Sequence, residues 1–175
     1  MWNPLKIRGT TAADLALLHP VIERAYRGET ARRGWTHEAD LLTGPRTTGD
    51  VLAQIVGDPR QRLLSAWLGK RAVGCVAVAD RGDRLAYLGQ LCVEPELQAG
   101  GIGRQLIAAT EATAVALFGA DRIEMTVIES RAELIAYYLR RGYVVTGERR
   151  DFPIPLDPPL FMTVLEKPLG TLARP

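Results

Sequence analysis

Hydrophobic side chains recur along the chain in two patterns, which predict strands and helices in turn. Contiguous or alternating apolar runs indicate strands, because successive strand side chains point to opposite faces of a sheet. Such runs cover residues 5–8, 63–68, 73–79, 85–93, 123–128, 143–146 and 161–165. Apolar stripes at spacings of three and four residues indicate helices over residues 15–26, 50–56, 101–118 and 133–141.

The order of these elements predicts the class of fold. It runs β-α-α-β-β-β-α-β-α-β-β, which indicates an α/β protein with helices packed on a mixed sheet. Residues 28–49 are rich in Gly, Thr and charged residues and predict a long loop with little regular structure. Loops of this length in compact domains are often functional, so this one is a candidate part of a binding site.

Length and composition predict one domain over residues 1–175, with a core over about residues 5–167. The chain is 47% hydrophobic and 24% charged, as is usual for a globular protein, and its net charge is +2. That balance gives no reason to expect a nucleic-acid partner or an anionic membrane surface. No stretch of about 18 uncharged apolar residues is present, so no membrane span is expected.

Cysteine and histidine usage predicts a reducing compartment and no metal site. Cys75 and Cys92 lie in apolar runs without the C-x-x-C spacing, and we therefore expect free thiols in a cytoplasmic protein. The first residues have no basic segment followed by an apolar stretch, so no signal peptide is expected. His19 and His37 have no second ligand at a spacing typical of metal sites.

The turn over residues 91–104 carries the strongest chemical signal. It joins a strand to a helix, and three of its residues, Gly100, Gly101 and Gly103, lack a Cβ that would keep a ligand away from the backbone. The first N–H groups of a helix have no partner within it and carry the positive end of its dipole, which favours phosphate groups. Arg104 adds a cation in the first turn, which an anion bound nearby would stabilise.

Glycine turns of this kind have other interpretations. A dinucleotide fingerprint, as in nicotinamide-dependent reductases, needs G-x-G-x-x-G, and here Leu106 stands at the third glycine position. A phosphate loop needs G-x-x-x-x-G-K-[ST], and the chain has no Lys-Ser or Lys-Thr pair. A plain strand-to-helix turn without a ligand stays open at this point.

Two motifs resemble those of the GCN5-related N-acetyltransferase (GNAT) family. Gln98-x-x-Gly101-x-Gly103 is similar to its acetyl-CoA pyrophosphate loop, [RQ]-x-x-G-x-[GA]. Tyr138-x-x-x-Gly142-Tyr143 is similar to the end of its second conserved helix, and the order of elements matches over nearly the whole chain. The resemblance implies a central, mostly antiparallel sheet of about seven strands flanked by about four helices.

The same resemblance implies an activity and its alternatives. The expected function is acetyl-CoA-dependent N-acetylation of a primary amine, on a small molecule or a peptide, by direct attack in a ternary complex. The rival hypothesis is a non-catalytic domain that binds acetyl-CoA as a sensor or structural ligand. Homodimers are common in the family, but no segment of this chain requires one.

The resemblance also assigns site residues. The backbone of Leu91, Cys92 and Val93 would bind the pantetheine arm, and one N–H there would bond the thioester carbonyl. The pyrophosphate would be held by Gln98, Ala99, Gly100, Gly101, Ile102, Gly103 and Arg104. Many family members have an Asn at the position of Arg131, and that Asn contacts the pantetheine arm. The long cationic side chain of Arg131 is expected instead to reach either a CoA phosphate or the acceptor. Cys92 has no His partner nearby in sequence and is interpreted as strand packing rather than as a nucleophile.

Tyr138 is the candidate general acid, which would protonate the departing sulfur; the alternative is a core aromatic on a helix stripe. Glu129, which ends a strand just before Arg131, is the candidate base, and a water relay is the alternative. Acceptor binding is expected from Tyr26, Glu29 and Trp35, because aromatic and acidic groups together suit a cationic amine. The alternative for that segment is a solvated loop anchored by its Trp.

Overall fold

Seven strands form one sheet in the computed structural model, which describes residues 3–34 and 36–170. The strands are β1 (Leu5–Gly9), β2 (Gln61–Leu68), β3 (Arg71–Asp80), β4 (Leu85–Val93), β5 (Arg122–Ile128), β6 (Val144–Asp151) and β7 (Phe161–Pro168). Their order in the sheet is β1-β2-β3-β4-β5-β7-β6, and every neighbouring pair is antiparallel except β4 and β5. The predicted mixed, mostly antiparallel sheet is confirmed.

Five helices flank the sheet in the described part of the chain. They are α1 (Leu15–Tyr26), α2 (Gly28–Ala31), α3 (Gly49–Gly57), α4 (Ile102–Phe118) and α5 (Ala132–Leu139). Four of them were expected; α2 is a single turn inside the segment predicted as a loop, too short to show a periodic pattern. None of the described helices combines the length and the apolar character that crossing a membrane requires.

Strand β6 is twice as long as the sequence suggests, since it continues past residue 146 to Asp151. Its last residues are polar and exposed, with a break in register between Val145 and Arg149, so they show no apolar alternation. Pairing with β7, including Asp151 opposite Phe161, keeps them in the sheet.

Alternating side chains of the central strands face two separate apolar layers. Leu63 and Trp67 of β2 pack with α1 and α3 on one face of the sheet. Their neighbours Leu64 and Ala66 pack with α4 and α5 on the other. This period of two divides the core between the faces and fixes the register of the sheet.

The sheet opens between its two parallel strands. β4 pairs with β5 only where Leu85–Tyr87 lies beside Arg122–Glu124, although both strands continue well beyond that point. In β4 the register with β3 also shifts, and Gln90 has a left-handed backbone with φ of +55°. This is a β-bulge, which bends a strand and redirects its edge. Beyond residue 87 the two strands therefore no longer share backbone hydrogen bonds.

Candidate active site

A cleft of about 1160 Å³ lies where β4 and β5 separate. Most of the side chains and backbone segments predicted to bind cofactor line it, together with Tyr26. The predicted residues in the lining are Tyr26, Leu91, Cys92, Val93, Gln98, Ala99, Gly100, Gly101, Gly103, Arg104, Arg131 and Tyr138. Ile102 is not among them, because its side chain packs in the core and only its backbone is left for a ligand. Trp35 lies outside the described residues.

One backbone edge of β4 faces the gap. The N–H of Glu94 donates to the carbonyl of Val73 on β3 at 2.8 Å, so the preceding residue, Val93, directs its N–H and C=O to the opposite side. The Val93 carbonyl accepts from Gln98 Nε2 at 3.2 Å, and the Leu91 carbonyl accepts from the Tyr26 hydroxyl at 2.5 Å. The Val93 N–H is thus a donor directed to the gap.

The glycine turn leaves the start of α4 without internal partners. Gly101 adopts φ of +87°, a left-handed conformation that only glycine adopts without strain. The first backbone bond of α4 runs from the Gln105 N–H to the Gly101 carbonyl, so the N–H groups of residues 102–104 have no partner within the helix. The Arg104 guanidinium lies 3.8 Å from where a Cβ on Gly101 would be. Unpaired donors, a cation and an open backbone fit the pyrophosphate of acetyl-CoA.

Tyr138 is buried in the wall of the cleft. Its ring makes edge contacts with Tyr137, at 5.5 Å between centroids, and with Tyr143, at 5.9 Å. Among the described residues its hydroxyl has no hydrogen-bond partner, and burial raises the pKa of the phenol well above its usual value. Tyr138 therefore keeps its proton at neutral and moderately basic pH, as a proton donor must.

Glu129 is not placed to act as a base, which corrects the sequence interpretation. Its carboxylate accepts from Arg149 Nε at 2.9 Å and from Arg149 Nη2 at 2.6 Å, and the residue is not part of the cleft lining. The hydrogen bonds from Arg149 lower the pKa of this carboxyl, which makes it a weaker base. The sequence showed that Glu129 lies at the end of a strand, but not that Arg149, 20 residues later, pairs with it.

Glu29 lies away from the cleft, which corrects its assignment to the acceptor site. The Glu29 side chain is 84% exposed, pairs with Arg32 and lies outside the cleft lining. Asp40 also pairs with Arg32 on the surface. Both carboxylates lie on a short turn or loop, where no apolar period shows which side chains point inward.

The loop of residues 36–48 nevertheless reaches across the mouth of the gap. The Thr36 N–H donates to Gln98 Oε1 at 3.4 Å, and the Thr36 hydroxyl accepts from Arg131 Nη2 at 2.5 Å. Gln98 follows β4 and Arg131 follows β5, so this loop connects the two sides of the cleft.

The charge in the cleft is strongly positive. In the part of the chain that the structure describes, Glu38 is the only carboxylate of the lining, and it lies among arginines. The arginines that line the cleft are Arg27, Arg46, Arg81, Arg104, Arg131, Arg140 and Arg141. Sequence reasoning missed Arg46, because it lies in an irregular loop and meets the cleft only through tertiary contacts.

Comparisons with known proteins agree with this geometry. Residues 24–143, most of the chain, match the acetyltransferase (GNAT) family. No curated protein matches the sequence. Among solved structures, an acetyltransferase from Thermus thermophilus is 22% identical, with a TM-score of 0.68 over 97% of this chain and 100% of that one.

Two further solved structures share the fold over nearly their whole length. The ribosomal-protein-S18-alanine N-acetyltransferase from Escherichia coli is 17% identical, with a TM-score of 0.72 over 98% of this chain and 97% of that one. The yncA protein of Salmonella typhimurium, solved with its cofactor acetyl-CoA, is 16% identical, with a TM-score of 0.71 over 98% of both chains. From the matched segment and the cleft together, we conclude that the chain belongs to the GNAT family of N-acetyltransferases, which use acetyl-CoA as the acetyl donor.

Proposed function

We propose that the protein transfers the acetyl group of acetyl-CoA directly to a primary amine bound in the same cleft, with Tyr138 as the general acid. The observation that carries this proposal is the position of Tyr138. Its protonated phenol, without a hydrogen-bond partner among the described residues, lines the same cleft as the glycine turn and the free edge of β4. The amine would come from a small molecule or a peptide.

Each group of the chain has a distinct task. Acetyl-CoA supplies the acetyl group as a thioester, whose carbonyl carbon an amine can attack. The N–H groups of residues 102–104 and the Arg104 guanidinium hold the pyrophosphate. The Val93 N–H donates to the carbonyl oxygen as negative charge develops there. Tyr138 gives its proton to the leaving sulfur as the C–S bond breaks and the C–N bond forms, and regains a proton from solvent.

The proton of the attacking amine goes to water in this proposal. Glu38, the only carboxylate among the described residues of the lining, is held by arginine side chains, so we do not assign it as the base. Water in the cleft removes the need for a carboxylate, provided that a fraction of the amine is neutral. The rate should accordingly rise with pH toward the pKa of the acceptor amine.

Initial-rate kinetics tests the direct transfer. A panel of primary amines is screened for release of the CoA thiol, and the rate with the best amine is measured at several fixed concentrations of acetyl-CoA. We expect intersecting lines in the double-reciprocal plot, because both substrates must be bound before the chemical step. Parallel lines, together with an acetylated Cys92 detected by intact-protein mass spectrometry, would contradict direct transfer.

A further inference from the structure

We propose that the acceptor is an amine that also carries an oxyanion, such as a carboxylate, and that Arg131 binds this group together with Arg27 and Arg46. This inference rests on the proposed function and names the class of its acceptor. It replaces the cationic acceptor that the sequence suggested, because Glu29 lies outside the cleft and Glu38, which lines it, is held by arginines.

The first argument is uncompensated charge. Three guanidinium groups surround the Glu38 carboxylate: Arg27 donates to it through Nη1, Arg46 Nε lies 3.7 Å away and Arg131 Nη1 lies 3.6 Å away. The Glu133 carboxylate also lies 3.7 Å from Arg131 Nε, so two negative and three positive charges leave an excess of one positive charge. The side chains of Glu38 and Arg131 are each only 10% exposed. Excess charge that water reaches poorly is costly, so a bound anion would stabilise the cluster.

The second argument is an unused donor. Arg131 Nη2 donates to Thr36, but the buried Nε of Arg131 has no hydrogen-bond partner in the described structure. The nearest carboxylate is that of Glu133, whose Oε1 lies 3.7 Å away on a side chain that is 49% exposed. A guanidinium binds a carboxylate or phosphonate through parallel N–H bonds. An oxyanion at this edge of Arg131 would satisfy the donor.

The third argument separates this cluster from the cofactor. Arg131 contacts the loop of residues 36–48 through Thr36 and Glu38, whereas Arg104 lies against the glycine turn. Arg131 is the residue before α5, and Tyr138 lies near the end of that helix. Both line the cleft. An anion held by Arg131 therefore belongs to the molecule that reacts near Tyr138.

The same charge would disfavour polycations. An acceptor with several ammonium groups meets a cluster that already has an excess positive charge, and like charges brought together in a partly buried site oppose binding. Spermidine is therefore expected to be a poor substrate, and it serves as a negative probe.

Matched amines test the class of acceptor. The panel contains the common amino acids as free acids, the same amino acids as C-terminal amides, 2-aminoethylphosphonate and spermidine, each with saturating acetyl-CoA. We expect acetylation of at least one free acid or the phosphonate, with kcat/KM about 10- to 100-fold above that of its uncharged counterpart, which is the loss typical of a charged hydrogen bond. The free acids and the phosphonate distinguish the two kinds of oxyanion.

The variant Arg131→Gln links this preference to the cluster. It should raise KM for the anionic amine about 10- to 100-fold and leave KM for acetyl-CoA within about twofold, and Arg131→Lys should restore part of the loss. Arg122→Gln is the matched control, because Arg122 lies where β4 and β5 still pair and is paired with Asp121. Circular dichroism and acetyl-CoA titration verify that each variant is folded.

Three results would overturn the inference. The first is acetylation of amides or spermidine in preference to free acids. The second is no acetylation of any anionic amine. The third is an Arg131→Gln variant in which KM rises for acetyl-CoA rather than for the amine. None of these three results decides whether the proposed function is correct. Acetyl-CoA binding and turnover with the other amines test that separately.

Discussion

Replacement of Gly101 by Asp is expected to abolish acetyl-CoA binding while the protein stays folded. Gly101 adopts φ of +87° at the start of α4, and a side chain there would add backbone strain. It would also place a carboxylate beside the unpaired N–H groups and the Arg104 guanidinium, where it competes with the pyrophosphate. Isothermal titration with acetyl-CoA measures the loss, which should exceed about 100-fold in Kd, or about 2.7 kcal/mol.

Gly147→Asp is the matched control for this prediction. Gly147 has a similar φ of +85°, but it lies on the edge strand β6 with no heavy atom within 4 Å of the added Cβ. The control therefore introduces the same backbone strain and the same charge away from the cleft, and should bind acetyl-CoA as the wild type does. Retention of normal affinity by a folded Gly101→Asp variant would show that the glycine turn does not hold the pyrophosphate.

Replacement of Tyr138 by Phe should lower kcat by about 10²- to 10⁴-fold with little change in acetyl-CoA affinity, the range typical of a lost general acid. Phe keeps the ring contacts with Tyr137 and Tyr143, so the fold should be preserved. Because burial raises the pKa of Tyr138, its ionisation should cause no loss of wild-type activity below about pH 10, the reference pKa of a phenol. Steady-state kinetics over a pH series measures both effects.

Tyr143→Phe is the control for Tyr138→Phe. The Tyr143 hydroxyl donates to Glu111 Oε1 at 3.0 Å, and the residue is not part of the cleft lining. Loss of this hydrogen bond should cost about 1.5–3 kcal/mol of stability, the usual contribution of a bond to a charged group, and leave kcat unchanged. Equal turnover in Tyr138→Phe and the wild type would remove Tyr138 from the mechanism.

A wild-type protein that binds acetyl-CoA but acetylates no amine would favour the rival hypothesis of a non-catalytic acetyl-CoA sensor.

The parts of the site that are local in sequence could be predicted. The glycine turn needs particular residues at fixed offsets next to one another, so Gly101, Gly103 and Arg104 could be identified without coordinates. Tyr138 could be identified in the same way, because its relation to Gly142 spans one helical turn. Local sequence patterns report local geometry, and these features depend on little else.

The arginine cluster at the proposed acceptor position could not be predicted from the sequence, because long-range contacts create it. Arg131 meets Thr36 and Glu38 across about half the chain, and the role of each side chain depends on how the irregular loop folds over the gap. Glu29 and Glu129 are equally acidic in sequence, but surface arginines pair with them outside the cleft. The charge of the proposed acceptor site therefore follows from the arrangement of loops, which no periodic pattern encodes.

Ligand selectivity of the wild-type protein tests most directly that this cleft is an acetyl-CoA site. Thermal unfolding is measured with acetyl-CoA, CoA, NADH and ATP, each at several concentrations. At about 100 times its Kd a ligand adds about 2.7 kcal/mol to the stability of the folded state, which corresponds to several degrees for a domain of this size. Stabilisation by acetyl-CoA and CoA alone is the predicted result. Stabilisation by NADH or ATP alone would contradict it.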